Sequence, residues 1–249
     1  NNIILVDDVS EAIKRSPISI ICVYDNNGTL EILQNIQDKS ILLNKTIVNF
    51  TTGSPKEAAE IETIVTSQTG IYINGAIQVA PDQMGLESTT ILLAGNAKVY
   101  DQNKAILDVL GGNLKYLSET PSAASAMDLA TLTLLYGSYI GLIYAVKLCQ
   151  EYDLNLEDFS AIVGEVSPGY TDFFKYEIDV IKRGDFTITQ SPLPISVAST
   201  KRIAESFKEL KVLQEFPKVL ANILNKADRE GLSNEELAAI IKVISTPEH

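Results

Sequence analysis

The chain has 249 residues, 45% of them hydrophobic, which is enough for one large domain or two smaller ones with cores of their own. A formal net charge of −12 speaks against nucleic acid and anionic membranes as partners, because little basic surface is available to neutralise phosphates. The sole histidine, His249, is the last residue, so a Ser-His-Asp triad, a Cys-His pair and a His-ligated zinc site are excluded within this chain, and no metal is expected.

The opening residues are polar, include Asp7 and Asp8, and carry no signal-peptide pattern. A helix is expected over about Val9 to Arg15. Ile18 to Tyr24, rich in isoleucine and valine, reads as a buried strand, and Thr29 to Ile36 as a helix. Thr46 to Phe50 is a second buried strand, running into Thr51-Thr52-Gly53-Ser54-Pro55. That turn predicts a helix start: Ser54 as N-cap, Pro55 at the first helical position, Glu57 completing a capping box. Ile71 to Val79 and Thr90 to Ala94 are further strands, and Ala97 to Leu110 is a helix stopped by Gly111-Gly112. This βαβα order implies an open, mainly parallel sheet, a Rossmann-type α/β domain over residues 1–120. A complete domain of that kind opens with a strand and a Gly-x-Gly-x-x-Gly turn, which the sequence does not contain. The domain is therefore read as N-terminally incomplete by roughly 40–45 residues, a strand–helix–strand–helix start.

After Pro121 the pattern turns helical, and residues 121–249 read as an all-α domain. One long helix joins the halves, from Ala123 to about Tyr152. Shorter ones are expected over Leu156–Val163, Gly169–Arg183, Ile195–Leu213, Phe216–Glu230 and Asn234–Ser245. Leu129 to Val146 carries no charge over 18 residues, which raises the question of a membrane span. Its threonines, serine, glycines and three tyrosines favour instead a helix buried in a soluble bundle or a dimer interface, with Gly137 and Gly141 admitting a close neighbour. Cys22 and Cys149 lie in apolar stretches and read as small buried side chains, which fits a reducing cytoplasm.

Asp128 is the most unusual residue of the helical half, set in Ala124-Ser125-Ala126-Met127-Asp128-Leu129-Ala130. A carboxyl group in apolar surroundings loses solvation when ionised, so it can be held partly neutral and donate a proton. The alternative is a carboxylate near a helix N-terminus that only complements the helix dipole. Leu132 and Tyr136 share its helix face. Val23, Tyr24 and Asp25 at the end of the first strand, and Thr51 and Thr52 after the second, stand at the carboxyl edge of the expected sheet, where ligands bind in such folds. Each of these is equally an ordinary turn. The loop from Gln78 to Gly85 is a third candidate.

These pieces occur together in one family. Val48-Asn49-Phe50-Thr51-Thr52-Gly53-Ser54-Pro55 resembles the strand-to-helix turn of imine reductases and reductive aminases. Tyr72 to Pro81 with Met84-Gly85 resembles their next strand and loop. Ser125 to Ala130 with Leu134-Leu135-Tyr136-Gly137 resembles the start of their interdomain helix, and the likeness runs from Val9 to Ser245. The resemblance implies reduction of C=N bonds with hydride from NADPH, on imines or on a ketone plus an amine. It also implies a homodimer that exchanges its helical domains around the long helix, with the site between one subunit's cofactor domain and its partner's helical domain. Asp128 falls where many members carry the aspartate that protonates or anchors the imine nitrogen. Tyr136 matches a pocket tyrosine, and Ile77, Gln78 and Leu132 match pocket walls. Thr52 stands where some reductive aminases have asparagine, Val166 where an aromatic often stands, and Ser196 where some have glutamine. Related β-hydroxyacid dehydrogenases carry a lysine in place of Asp128. A dehydrogenase of that type, or an inactive chain keeping only the dimer scaffold, are the competing readings.

Overall fold

The computed structural model describes residues 3–244. These form two compact units that part between Leu135 and Tyr136.

In the first unit, α1 (Val9–Arg15), capped by Asp8, leads to β1 (Ile18–Ile21) and α2 (Asn26–Gln34). Then come β2 (Thr46–Asn49), α3 (Pro55–Ser67), β3 (Ile71–Ile77), β4 (Thr90–Gly95), α4 (Ala97–Leu107) and β5 (Asn113–Tyr116). The capping box at Ser54 forms as expected: the Ser54 hydroxyl accepts from the Glu57 backbone N–H at 3.3 Å, and Glu57 accepts from the Ser54 N–H at 2.6 Å.

The strands form one sheet in the order β1-β2-β3-β4-β5. It is mainly parallel, but β3 and β4 pair antiparallel. Residues 78–89 contain no crossover helix that could return the chain to the same end of the sheet, so β4 runs back beside β3. Strand β5 was not foreseen: Asn113-Leu114-Lys115-Tyr116 lacks a hydrophobic run and is fixed by its tertiary pairing with β4. Alternation along β3 divides the core. Ile73 packs with Val48, Phe50, Leu93 and Val99 on one face, while Tyr72 and Ala76 point to the other.

A 30-residue helix, α5 (Ser122–Glu151), begins in the first unit and ends in the second. Its first turn packs Ala124 against Ala76, Leu92 and Ala94. Of the two settings expected for its uncharged run, a bundle within the chain or a dimer interface, the first is not found: Leu134, Leu135, Tyr139, Leu142 and Ile143 are all exposed. By length and composition this helix could also cross a membrane. Cys149 is buried as expected, whereas Cys22, one residue past the paired part of β1, points to the opposite side from buried Ile21 and is exposed.

The second unit continues with α6 (Leu156–Arg183), α7 (Leu193–Glu209), α8 (Glu215–Arg229) and the short α9 (Ile241–Ile244). The sequence suggested a break between Val163 and Gly169, yet α6 continues through Pro168. Proline removes the hydrogen bond to the Gly164 carbonyl, and Gly164 is exposed with open space around it, so water can take the missing partner's place. The helix expected over Asn234–Ser245 is instead a pair of 3-10 turns, Leu232–Asn234 and Leu237–Ile240, followed by α9; Ser245 and His249 lie outside the described residues. Glu236 accounts for the interruption. It is fully buried, and its carboxylate accepts from the backbone N–H groups of Thr189 (2.7 Å), Gln190 (3.2 Å) and Ser191. Holding that loop goes with extended backbone at Glu235 and Glu236.

Candidate functional site

Because β1, β2 and β3 are parallel, their carboxyl ends share one edge of the sheet, the edge at which α/β folds present ligand-binding turns. Two turns there are tied together. The Val23 N–H donates to the Thr51 hydroxyl oxygen at 3.1 Å, and the Thr29 hydroxyl donates to Thr51 at 3.2 Å. Thr51 is buried and organises the turn, while Thr52 and Tyr24 point to solvent, Tyr24 almost completely. A side chain at Gly53 would have to displace buried Asn26, because a Cβ there would lie 1.9 Å from the Asn26 side-chain nitrogen.

The third end carries the carboxyl group. Ile77, Gln78, Val79, Ala80, Gln83, Asp128, Thr131, Leu132 and Leu135 line a cleft of about 450 Å³, all within the first unit. Asp128 is only 5% exposed although it reaches this wall. Its Oδ1 accepts from Gln78 Nε2 at 2.6 Å, and Gln78 Oε1 accepts from the Thr131 hydroxyl at 2.7 Å. Among the described residues, no lysine, arginine or histidine lines the cleft.

A buried chain of polar groups runs beneath both features. Asn49 Nδ2 donates to Asn26 Oδ1 (3.0 Å) and to the Tyr72 hydroxyl (3.2 Å). The Tyr72 hydroxyl donates to Asn74 Oδ1 (3.2 Å). Asn74 Nδ2 donates to Ser125 Oγ (2.8 Å) and the Pro121 carbonyl (3.1 Å). Burial pushes the Tyr72 phenol far above its usual range, with the Asn49 hydrogen bond acting the other way, so Tyr72 stays neutral. Strand alternation places Tyr72, Asn74, Ala76 and Gln78 on the side of α5. Ser125, Asp128, Leu132 and Leu135 on the helix, with Pro121 just before it, recur at spacings of four and three, the spacing of one helix face.

Of the residues singled out in the sequence, the first unit brings Asp128, Leu132, Ile77 and Gln78 into one cleft and ties Val23 to Thr51. Asp25 serves as the N-cap of α2, accepting from the Gly28 N–H at 3.0 Å. Tyr136, Val166 and Ser196 belong to the second unit; Tyr136 is 61% exposed and Val166 is also exposed. Sequence reasoning overlooked Thr131, Asn49, Tyr72, Asn74 and Ser125. The available signal was an asparagine inside each of two apolar strands, since a buried amide must find partners.

The donor set at this edge fits part of a dinucleotide. Helices α2 and α3 both start here, and each N-terminus already holds a carboxylate, Asp25 and Glu57 respectively. Hydrogen bonds from Ser54, backbone first and then hydroxyl, hold Glu57 below its ordinary value and hence ionised. Two resident anions would repel a pyrophosphate. The uncharged Val23–Tyr24 and Thr51–Thr52 turns, in which Val23, Tyr24 and Thr52 are exposed and Thr51 is buried, present no such charge to a nicotinamide–ribose end.

Residues 120–246, just over half of the chain, match the family described as NADPH-dependent reductive aminase-like, C-terminal domain. An NADPH-dependent reductive aminase of Aspergillus oryzae is 27% identical over 242 residues, covering 96% of this chain and 81% of that protein. The reductive aminase from Aspergillus terreus, solved in complex with NADPH4, cyclohexanone and allyl amine, superposes with a TM-score of 0.85 at 26% identity, covering 96% of this chain and 82% of that one. The imine reductase from Myxococcus stipitatus in complex with NADP+ has the same fold, with a TM-score of 0.90 at 24% identity and coverage of 96% and 84%.

Proposed function

Since the chain belongs to the NADPH-dependent reductive aminase-like family, we propose that it reduces C=N bonds of imines or iminium ions, cyclic ones among them, to amines, with Asp128 donating the proton or anchoring the iminium nitrogen. It is an imine reductase that uses NADPH, in keeping with its relatives. NADPH, when bound, supplies the hydride, and the Val23–Asp25 and Thr51–Thr52 turns would hold its nicotinamide end. Its small-molecule partners are an imine, or a ketone plus an amine.

The reading is carried by one observation: a carboxyl group, 5% exposed, on a cleft wall otherwise made largely of Ile77, Val79, Leu132 and Leu135. Hydride attack on an iminium leaves a neutral amine. A neutral imine must therefore gain a proton, and a preformed iminium needs only an opposite charge nearby; one carboxyl group can do either. Apolar walls would exclude water once the cleft is covered, and so strengthen its effect on the nitrogen. Among the described residues, this cleft holds no counterpart to the lysine of a hydroxyacid dehydrogenase. The test is NADPH oxidation by the full-length protein with 1-pyrroline. Asp128→Ala should remove most of the rate, and an unchanged rate in a folded variant would refute the role of Asp128.

The exposed apolar side chains of α5 support a homodimer in which a second copy covers that helix. Exchange of the all-α domains, beginning near residue 121, and the supply of Tyr136, Val166 and Ser196 to the substrate by those domains, rest on the family resemblance. Light scattering of detergent-free protein should give twice the chain mass; a monomer would contradict this reading.

A further inference from the structure

We propose that Gln78 is the positioning residue for Asp128, an inference that rests on the reading of Asp128 given above. An ionised carboxylate only accepts hydrogen bonds, whereas a glutamine amide has one donating and one accepting end. With Nε2 2.6 Å from Asp128 Oδ1, the opposite end, Oε1, must accept, and the Thr131 hydroxyl stands 2.7 Å away to give a hydrogen for which the Asp128 backbone carbonyl, at 2.8 Å, competes. Turning the amide round would set two acceptors against each other at the carboxylate. Thr131 lies three residues beyond Asp128 on the same helix, so Asp128, Gln78 and Thr131 close a ring of contacts between α5 and the sheet. Gln78 is anchored from behind as well: its backbone N–H donates to the Thr90 carbonyl at 3.0 Å, which extends the β3–β4 ladder by one residue.

A carboxyl group turns readily about its terminal torsion, because that torsion has broad wells. Engaging Oδ1 removes this freedom and leaves Oδ2 in one orientation for the substrate nitrogen. Gln78 thus contributes to catalysis by fixing the direction of the Asp128 group, without touching the reacting atoms. A small displacement of such a group is costly to rate, since the reacting geometry must be held closely. Classed only as a pocket wall, Gln78 would contribute shape, and an apolar side chain of equal length would serve equally well.

The experiment is a double-mutant cycle in the full-length enzyme, with 1-pyrroline and NADPH. Gln78→Met keeps the length and removes the amide; it should lower kcat by about tenfold or more while KM for the imine changes by less than about threefold. Thr131→Val, which frees the amide to turn, should lower kcat in the same direction by a smaller factor. In an Asp128→Ala background Gln78→Met should cost a much smaller factor than in the parent enzyme, because no carboxyl group remains to be held. Thermal unfolding of each variant separates lost positioning from lost folding. Equal fold-losses from Gln78→Met with and without Asp128, or no loss in either background, would overturn the inference and leave the role of Asp128 standing. An Asp128→Ala enzyme as fast as the parent would overturn that role, and the inference with it.

Discussion

Asn74→Ala tests the buried polar chain beneath the site. Asn74 is 1% exposed and makes three hydrogen bonds, to Ser125 Oγ, the Pro121 carbonyl and the Tyr72 hydroxyl, at 2.8, 3.1 and 3.2 Å. Each buried bond contributes about 1 kcal/mol net, and truncation also strands its partners away from water, so the loss should reach about 3–4 kcal/mol. Ser125→Ala removes only one of these bonds and should cost about 1 kcal/mol. Tyr72→Phe removes two and should cost about 2 kcal/mol. Urea unfolding followed by circular dichroism measures all three. With a slope of about 1–3 kcal/mol per molar, Asn74→Ala should lower the midpoint by about 1 M or more. Because Asn74 also ties down the first turn of α5, one helical turn before Asp128, its loss should lower activity below the unfolding range as well. The reasoning fails if Asn74→Ala costs no more than Ser125→Ala, because the three contacts would then not act as a set.

Glu236→Ala strips three backbone N–H groups of a fully buried acceptor and should destabilise the second unit by about 3–5 kcal/mol, read from its unfolding transition. Glu177 has a shielded carboxylate, which the Ala238 N–H approaches without completing a hydrogen bond; burial first, and then the nearby Glu236, raise it above its ordinary 4.5. A raised acid contributes stability below its ordinary range and loses it as pH climbs through the folded value, so Glu177→Gln should raise the melting temperature at neutral pH. That gain should vanish on acidification below the ordinary value, and a pH-independent gain would contradict the assignment. Gly75→Ala would place a Cβ 2.4 Å from the Phe50 ring and should cost about 1–3 kcal/mol in thermal unfolding.

Much of this architecture was legible because local signals agreed with tertiary demands. Ser54-Pro55 with Glu57 announced α3, and the long, mostly apolar stretch after Pro121 announced α5 to within a residue. What escaped was decided at a distance. Strand β5 exists through pairing with β4, and the antiparallel turn of β4 follows from how little chain joins it to β3. Pro168 usually ends a helix but here leaves its orphan carbonyl in open solvent, and Glu236 breaks a helical pattern by capturing a loop more than forty residues earlier in the chain. At the site, Asp128 stood out as a carboxylate among alanines, yet the bond from Gln78 could not be read from spacing, since fifty residues separate the two.

The central claim is that Asp128 serves the reduction of a C=N bond. Steady-state NADPH oxidation by the full-length enzyme, with 1-pyrroline and with a β-hydroxyacid's keto counterpart side by side, tests it most directly. Turnover of the imine alone, lost in folded Asp128→Ala, is the predicted result. Turnover of the keto acid in its place, or full imine activity without the Asp128 carboxyl group, would contradict it.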